Sequence, residues 1–142
     1  MVEIMQIPSV ATPQAWKMAL PLLKEPIART RGCYEEEDVF NFCCTGAMGL
    51  WLAVDDGEVL AAYVVEIVQY PRKRRLRATF AGAKPHSIDR WFERMVAALN
   101  EFRAQMGCDG MEAMGRRGWS KFIDGEEVAS FFVRDYPAME LH

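Results

Sequence analysis

Residues 82–87 combine residue types that could bind an anion. They read Gly-Ala-Lys-Pro-His-Ser, between an apolar stretch at 76–81 and a long helical pattern that opens with Ser87. Backbone N–H groups at the start of a helix point out of its first turn and attract negative charge. The lysine could add a point charge to those N–H groups. The pattern therefore predicts an anion seat formed by Gly82, Ala83, Lys84 and Ser87.

Glu66 is the second candidate for chemistry. It is the one acidic residue inside a long, mostly apolar stretch at 59–70. One interpretation places it near the exposed end of a strand, where water solvates its carboxylate. The other makes it a base that faces a cleft and accepts a proton from a substrate. The sequence leaves both interpretations open.

The cysteines and histidines do not have the spacing of a metal site. The four cysteines are Cys33, Cys43, Cys44 and Cys108, and the two histidines are His86 and His142. The adjacent pair cannot face one ligand from a single strand or helix face, and the histidines are too few and too distant. We expect no metal and reduced thiols, as in a cytoplasmic protein.

The charge balance limits the partners. The net charge is -3 and 26% of the residues are charged, so general affinity for nucleic acid or anionic membranes is not expected. The basic run at 72–75 follows Pro71 and is interpreted as a solvated hairpin tip. An N-terminal signal and an apolar stretch of about 20 residues are both missing from the sequence, so no membrane association is expected.

The first half of the chain predicts two helices between strands. A strand is predicted at 2–10, and Thr12 and Pro13 would cap and open a helix that Pro21 and Pro26 kink or interrupt. An acidic start at 35–38 predicts a second helix that ends at Gly46. The strands at 50–54 and 59–70 flank Asp55-Asp56-Gly57, a typical hairpin turn.

The long helix at 87–106 organises the second half. Its apolar residues recur at the helical period, Ser87 is predicted to cap it, and Gly107 to end it. A strand at 111–114, a short helix through 123 and a last strand at 128–133 follow, with a loose tail at 137–142. With 142 residues, one domain of class α/β (α+β) spanning 1–142 is expected.

This order of elements resembles the Gcn5-related N-acetyltransferase (GNAT) superfamily over nearly the whole chain. The resemblance rests on the hairpin at 50–70, the strand and loop at 76–85, the helix at 87–106 and the strand at 111–114. It implies a mixed, mostly antiparallel sheet that splays after the fourth strand, with acetyl-CoA or another acyl-CoA in the splay. The implied cofactor residues are Phe80, Gly82, Ala83, Lys84 and Ser87.

The chain departs from the family pattern in three places. Its loop has one glycine, Pro85 removes an N–H donor, and the sequence has no tyrosine between Tyr70 and Tyr136 to protonate a leaving thiolate. The segment 115–119 resembles degenerate GNAT-like proteins of tailed bacteriophages, which would make Arg116, Arg117 and Trp119 substrate or partner contacts. The alternative is a sharp turn in which the tryptophan fills the core.

Two functions follow from the resemblance. The first is an acyl-CoA-dependent N-acyltransferase in which Glu66 accepts the proton of an amine. The second is a non-catalytic interaction or virion-associated protein of a bacteriophage, in the host cytoplasm or the virion, whose aromatic and arginine residues contact protein partners.

Overall fold

A computed structural model describes residues 1–115, 125–128 and 132–138 of the chain. The elements follow the order that the sequence predicts, with two helices after the first strand, then three strands, one helix and a further strand, and a short 3-10 turn precedes the first helix. They are β1 (Val2–Ile7), α1 (Thr12–Ala28), α2 (Glu36–Thr45), β2 (Gly49–Asp55), β3 (Glu58–Gln69), β4 (Arg74–Ala83), α3 (Ile88–Gln105) and β5 (Gly110–Ala113).

The five strands form one sheet in the order β1-β2-β3-β4-β5. The first four pair antiparallel, and β5 pairs parallel to β4 because α3 carries the chain back across the sheet. The predicted α/β class with a mixed, mostly antiparallel sheet is therefore confirmed. The predicted helix at 116–123 lies outside the described residues. Of the predicted last strand, Val128, Phe132 and Val133 are described and are not in a strand.

Helices cover both faces of the sheet. On one face α1 and α2 bury a cluster that includes Leu23, Val39 and Val64. On the other face α3 buries a cluster that includes Trp91 and Met95. Because β3 contributes residues to both clusters, its long apolar run is covered on both sides, as predicted for a central strand.

The turns and helix ends confirm some predictions and correct two. Asp56 and Gly57 adopt positive φ angles of 49° and 81°, which makes the tight hairpin turn. Ser87 does not cap α3 with its side chain, since its hydroxyl donates to the Lys84 carbonyl instead. Thr12 does not cap α1 either: it lies inside the helix, and its hydroxyl donates to the carbonyl of Cys43.

Helix α1 is continuous through both of its internal prolines, so the predicted interruption is wrong. At the other helix ends the predictions hold, since Gly46 ends α2 with a φ of 84° and Gly107 follows α3 with a φ of 68°. Among the described helices, none combines the length and the apolar composition needed to span a membrane.

Candidate functional site

Strand β5 ends where β4 carries a bulge. Their pairing ends with Ala78 opposite Ala113, whereas β4 continues to Ala83. At the same point the register of β4 against β3 shifts, and Thr79 is the extra residue. A bulge bends a strand and ends regular pairing, so residues 79–83, here called the β4 edge, lie beyond the last β5 pair.

The β4 edge presents backbone groups away from β3. Lys84 donates its N–H to the Leu60 carbonyl at 2.8 Å, which fixes the alternation of the antiparallel ladder. Every second residue therefore bonds to β3, and the residues between them face the other way. By that alternation Ala81 and Ala83 direct their N–H and C=O groups toward the side that β5 leaves.

Thr79 adds a side-chain group to the β4 edge. Its Oγ1 atom is buried and has no hydrogen-bond partner among the residues that the structure describes. A buried hydroxyl without a partner costs about 1–3 kcal/mol. The bulge therefore holds one unsatisfied polar atom at the point where the two strands separate.

A cluster of four polar side chains lies next to the β4 edge: Glu66, Tyr70, Arg77 and Glu112, here called the Arg77 cluster. Arg77 pairs with Glu66 across β3 and with Glu112 across β5. Its guanidinium lies 3.4 Å from each carboxylate and donates to the Tyr70 hydroxyl at 3.1 Å. That hydroxyl donates in turn to Glu112 at 2.8 Å.

The electrostatics of the Arg77 cluster keep the guanidinium charged. Burial lowers the pKa of Arg77, but the Tyr70 hydrogen bond and the Glu112 and Glu66 charges outweigh it, so the pKa is raised. Glu66 is held less tightly than Glu112, because Arg77 contacts it at 3.4 Å whereas Glu112 also accepts a hydrogen bond from Tyr70. Its side chain is 19% exposed. Glu66 is therefore neither fully solvated at a strand end nor fully enclosed in a cleft.

The sequence analysis missed three members of this cluster. Tyr70 directly follows β3, four residues after Glu66, so an extended chain directs both side chains to the same side, and that spacing was visible in the sequence. Arg77 and Glu112 join them only through the pairings of β4 with β3 and β5.

The predicted anion seat at the start of α3 (residues 84–89) is engaged with the protein itself. The Ser87 hydroxyl donates to the Lys84 carbonyl at 2.6 Å and accepts from the Trp91 indole at 3.0 Å. The Lys84 ammonium bonds to Glu58 at 3.0 Å. These groups are held by neighbours on the same chain, and Pro85 has no N–H to offer.

Gly82 lies against helix α1 rather than against open space. A Cβ atom on this residue would stand 1.8 Å from the Leu22 carbonyl oxygen. Pro26, four residues after Leu22, lacks the N–H that would normally bond to that oxygen within the helix. The glycine therefore lets α1 approach β4, and one side of Gly82 is covered by helix backbone.

The other predicted site residues are distributed as follows. Phe80 is buried in the α1 and α2 cluster, with the Tyr34 ring 5.4 Å away at an angle of 82°. Ala83 ends β4 and packs against the α3 cluster. Arg116, Arg117 and Trp119 lie outside the described residues, and their assignment stays a prediction. Within the described ranges, no three or more histidine, cysteine or acidic side chains lie together as a metal site would need.

Comparison with known proteins was informative only at the level of structure. No family model matches the sequence, and no curated protein matches it. An aminoglycoside acetyltransferase from an uncultured soil metagenomic sample matches with a TM-score of 0.69 and 14% identity, over 96% of this chain and 99% of that one.

Two further solved structures match with similar scores. A predicted acetyltransferase from Clostridium acetobutylicum, solved with acetyl-CoA, has a TM-score of 0.65 and 10% identity, over 95% of this chain and 96% of that one. A GNAT family acetyltransferase from Staphylococcus aureus has a TM-score of 0.63 and 12% identity, over 95% and 98%. The chain therefore has the GNAT fold, and the resemblance seen in the sequence is confirmed at that level.

The residues present fit one end of an acyl-CoA better than the other. The β4 edge offers backbone groups and a buried hydroxyl beside a parted strand, which suits the thioester arm. The start of α3 offers groups that are already bonded, together with a glycine covered by α1. Those groups do not form a free cradle for a diphosphate.

Proposed function

We propose that this protein is an N-acyltransferase that takes an acyl group from a thioester donor and gives it to an amine. The observation that carries the proposal is the β4 edge, where β4 runs five residues beyond its last pair with β5. The GNAT fold of the chain supports it, and so does the fact that the matching structures are named as acetyltransferases.

A thioester donor supplies an activated acyl group, whose transfer forms an amide and releases a thiol. On this chain the outward N–H groups of Ala81 and Ala83 would donate to a carbonyl oxygen beside the strand. Glu66 would accept the proton that the amine loses. Arg77 would be a positioning residue, since it bonds to both carboxylates of its cluster.

Two measurements on the full chain test this proposal. Calorimetric titration with acetyl-CoA should give a saturable heat, and a panel of primary amines should include one that releases the free thiol. Substitution Glu66→Gln keeps the shape of the side chain but removes the base, so kcat should fall by about 100-fold or more. The exposed Glu93 on α3 gives the matched control, and Glu93→Gln should retain the activity.

A negative result in either the binding measurement or the variant measurement would count against the proposal. If neither acetyl-CoA nor any other thioester binds, or if Glu66→Gln acts like the Glu93→Gln control, the assignment of catalysis to this face is wrong.

The second candidate is a non-catalytic interaction protein with the same fold. It is favoured by the start of α3, where Lys84 and Ser87 are bonded to groups of the chain itself. The role in a bacteriophage virion belongs to this candidate and stays a prediction. Co-purification of a stable partner, together with an absence of thioester binding, would favour it over catalysis.

A further inference from the structure

We infer that this protein recognises the acyl-pantetheine end of its donor and gains little affinity from a nucleoside diphosphate. The inference rests on the proposed function and specifies which part of the thioester donor the protein recognises. Coenzyme A joins an amide-containing pantetheine arm to a nucleotide that carries several negative charges. The two ends would meet two regions of this molecule, and the regions differ in what they leave free.

The side-chain donors at the start of α3 are used internally, whereas the first-turn N–H groups of the helix carry no side-chain cap. Lys84 donates its N–H to Leu60 and its ammonium to Glu58. The Ser87 hydroxyl has given its one proton to the Lys84 carbonyl. A diphosphate that needed these donors would have to break existing bonds, so its net gain in affinity would be small.

The charge around the start of α3 also disfavours a polyanion. Four carboxylates occupy the first turn of α3 and the adjoining hairpin: Asp55, Asp56, Glu58 and Asp89. The two basic side chains there are paired, Lys84 with Glu58 and Arg90 with Asp55 at 2.6 Å. A recess of about 790 Å³ beside them is lined by several of these acids. The N-terminal ammonium also pairs with Asp55, so the four carboxylates outnumber the three cations by one, and this excess negative charge disfavours a nucleoside diphosphate.

The β4 edge, by contrast, suits an extended arm that carries amides. Ala81 and Ala83 are two residues apart, so their outward groups recur at the spacing of a strand ladder. An extended chain can add to such an edge through main-chain hydrogen bonds alone. Both residues are alanines, so their own side chains do not block a ligand that lies along the strand.

Calorimetry with donors that lack the nucleotide tests the inference. Coenzyme A and pantetheine should bind the full chain with Kd values within about threefold of each other, less than 1 kcal/mol apart. In turnover, acetyl-CoA and acetyl-pantetheine should likewise give kcat/KM values within about threefold. Binding of coenzyme A more than about 30-fold tighter than pantetheine would overturn the inference but leave the proposed function intact. Failure of both to bind would instead overturn the proposed function.

Two charge variants distinguish a direct contact with the diphosphate from a general electrostatic effect on binding. Lys84→Met should lower the affinity for coenzyme A by less than about threefold and leave that for pantetheine unchanged, because its ammonium serves Glu58 rather than a phosphate. A loss of more than tenfold for coenzyme A alone would assign Lys84 to the diphosphate and contradict the inference. Asp89→Asn should raise the affinity for coenzyme A and leave that for pantetheine unchanged, since it removes one repelling charge.

Discussion

The start of α3 and the β4 edge lie next to each other in the chain, yet they use their polar groups differently. At the start of α3, the Ser87 hydroxyl has a donor and an acceptor partner and the Lys84 ammonium has a carboxylate. At the β4 edge, the Thr79 hydroxyl is buried without a partner among the described residues, and alternate backbone groups face away from β3.

The difference shows that a helix start is an anion site only where its neighbours leave the donors free. The hairpin between β2 and β3 supplies Glu58 and Asp55, which bond to the two basic side chains near α3. The outward backbone groups of the β4 edge are not paired with β5 in this way, because the pairing of β5 with β4 ends at the bulge. Unsatisfied groups thus mark the β4 edge as the more promising place for a ligand.

The largest effect expected from a single methyl group is at Gly82, on the β4 edge. In Gly82→Ala the new Cβ would meet the Leu22 carbonyl oxygen, which belongs to helix backbone and cannot rotate away. We expect the free energy of unfolding to fall by about 3 kcal/mol. Urea denaturation followed by circular dichroism measures this change.

Gly110→Ala provides the matched control for that prediction. A Cβ on Gly110 would meet no atom within 4 Å, so the variant should unfold within about 0.5 kcal/mol of the wild type. Equal stability of the two variants would mean that α1 is not held against β4 as described. It would also return Gly82 to the set of residues available to a ligand.

The next largest effect is expected in the Arg77 cluster. Arg77→Met keeps much of the side-chain length but removes the charge shared by Glu66 and Glu112. Two partly buried carboxylates would then lie near each other without their cation, and we expect a loss of about 2 kcal/mol in the free energy of unfolding. The test is the urea midpoint at pH 7.

A control for Arg77→Met removes an arginine from an exposed pair. Arg29 pairs with Glu25 on the surface of α1, so Arg29→Met should cost about 0.5 kcal/mol or less. If both variants lose the same stability, the Arg77 cluster contributes no more than a surface ion pair.

Much of the fold could be predicted from periodicity and turn residues. Three local patterns predicted elements that the structure confirms. The apolar period predicted α3, the Asp-Asp-Gly sequence predicted the hairpin turn, and the apolar run at 59–70 predicted β3. The Arg77 cluster could not be predicted in the same way. Its members come from three strands, and their meeting depends on the register on either side of the bulge at Thr79.

The residues of the predicted anion seat show a second limit. Ser87, Lys84 and Gly82 were assigned from their types and their position before a helix. Their partners are Trp91, Glu58 and the Leu22 carbonyl, and two of the three lie far away in sequence. A single sequence does not reveal such competition for a hydrogen-bonding group, because it arises from tertiary packing.

The contrast between paired and unpaired hydroxyls can be measured directly. Ser87→Ala leaves the Trp91 indole and the Lys84 carbonyl without their partner, so we expect a loss of about 1–2 kcal/mol. Thr79→Val removes a hydroxyl that has no described partner, and the shape is kept. That variant should be as stable as the wild type or up to about 1 kcal/mol more stable. A higher urea midpoint for Ser87→Ala than for Thr79→Val would contradict the difference between the two hydroxyls.

The smallest effect concerns the acid hairpin beside α3 and depends on pH. The hydrogen bond from Arg90, then that from the N-terminal ammonium, holds the pKa of Asp55 below its ordinary value of 3.8. A lowered pKa in the folded state means that the stabilisation is present above the pKa of the unfolded chain. It is lost as the pH falls through the folded value.

Asp55→Asn keeps the shape of the side chain and removes this dependence. The wild type should therefore have the higher urea midpoint at pH 6, and the gap between the two proteins should narrow as the pH falls below about 3.9, the pKa of an unfolded aspartate. Added salt at pH 6 should also narrow the gap, since Arg90 is about half exposed and its pair is screened. A gap that stayed constant from pH 6 to pH 2.5 would show that the ionised Asp55 does not hold the hairpin to α3. The hairpin carboxylates would then not be held beside the start of α3. Their negative charge would no longer be a reason to expect weak binding of a diphosphate at that place.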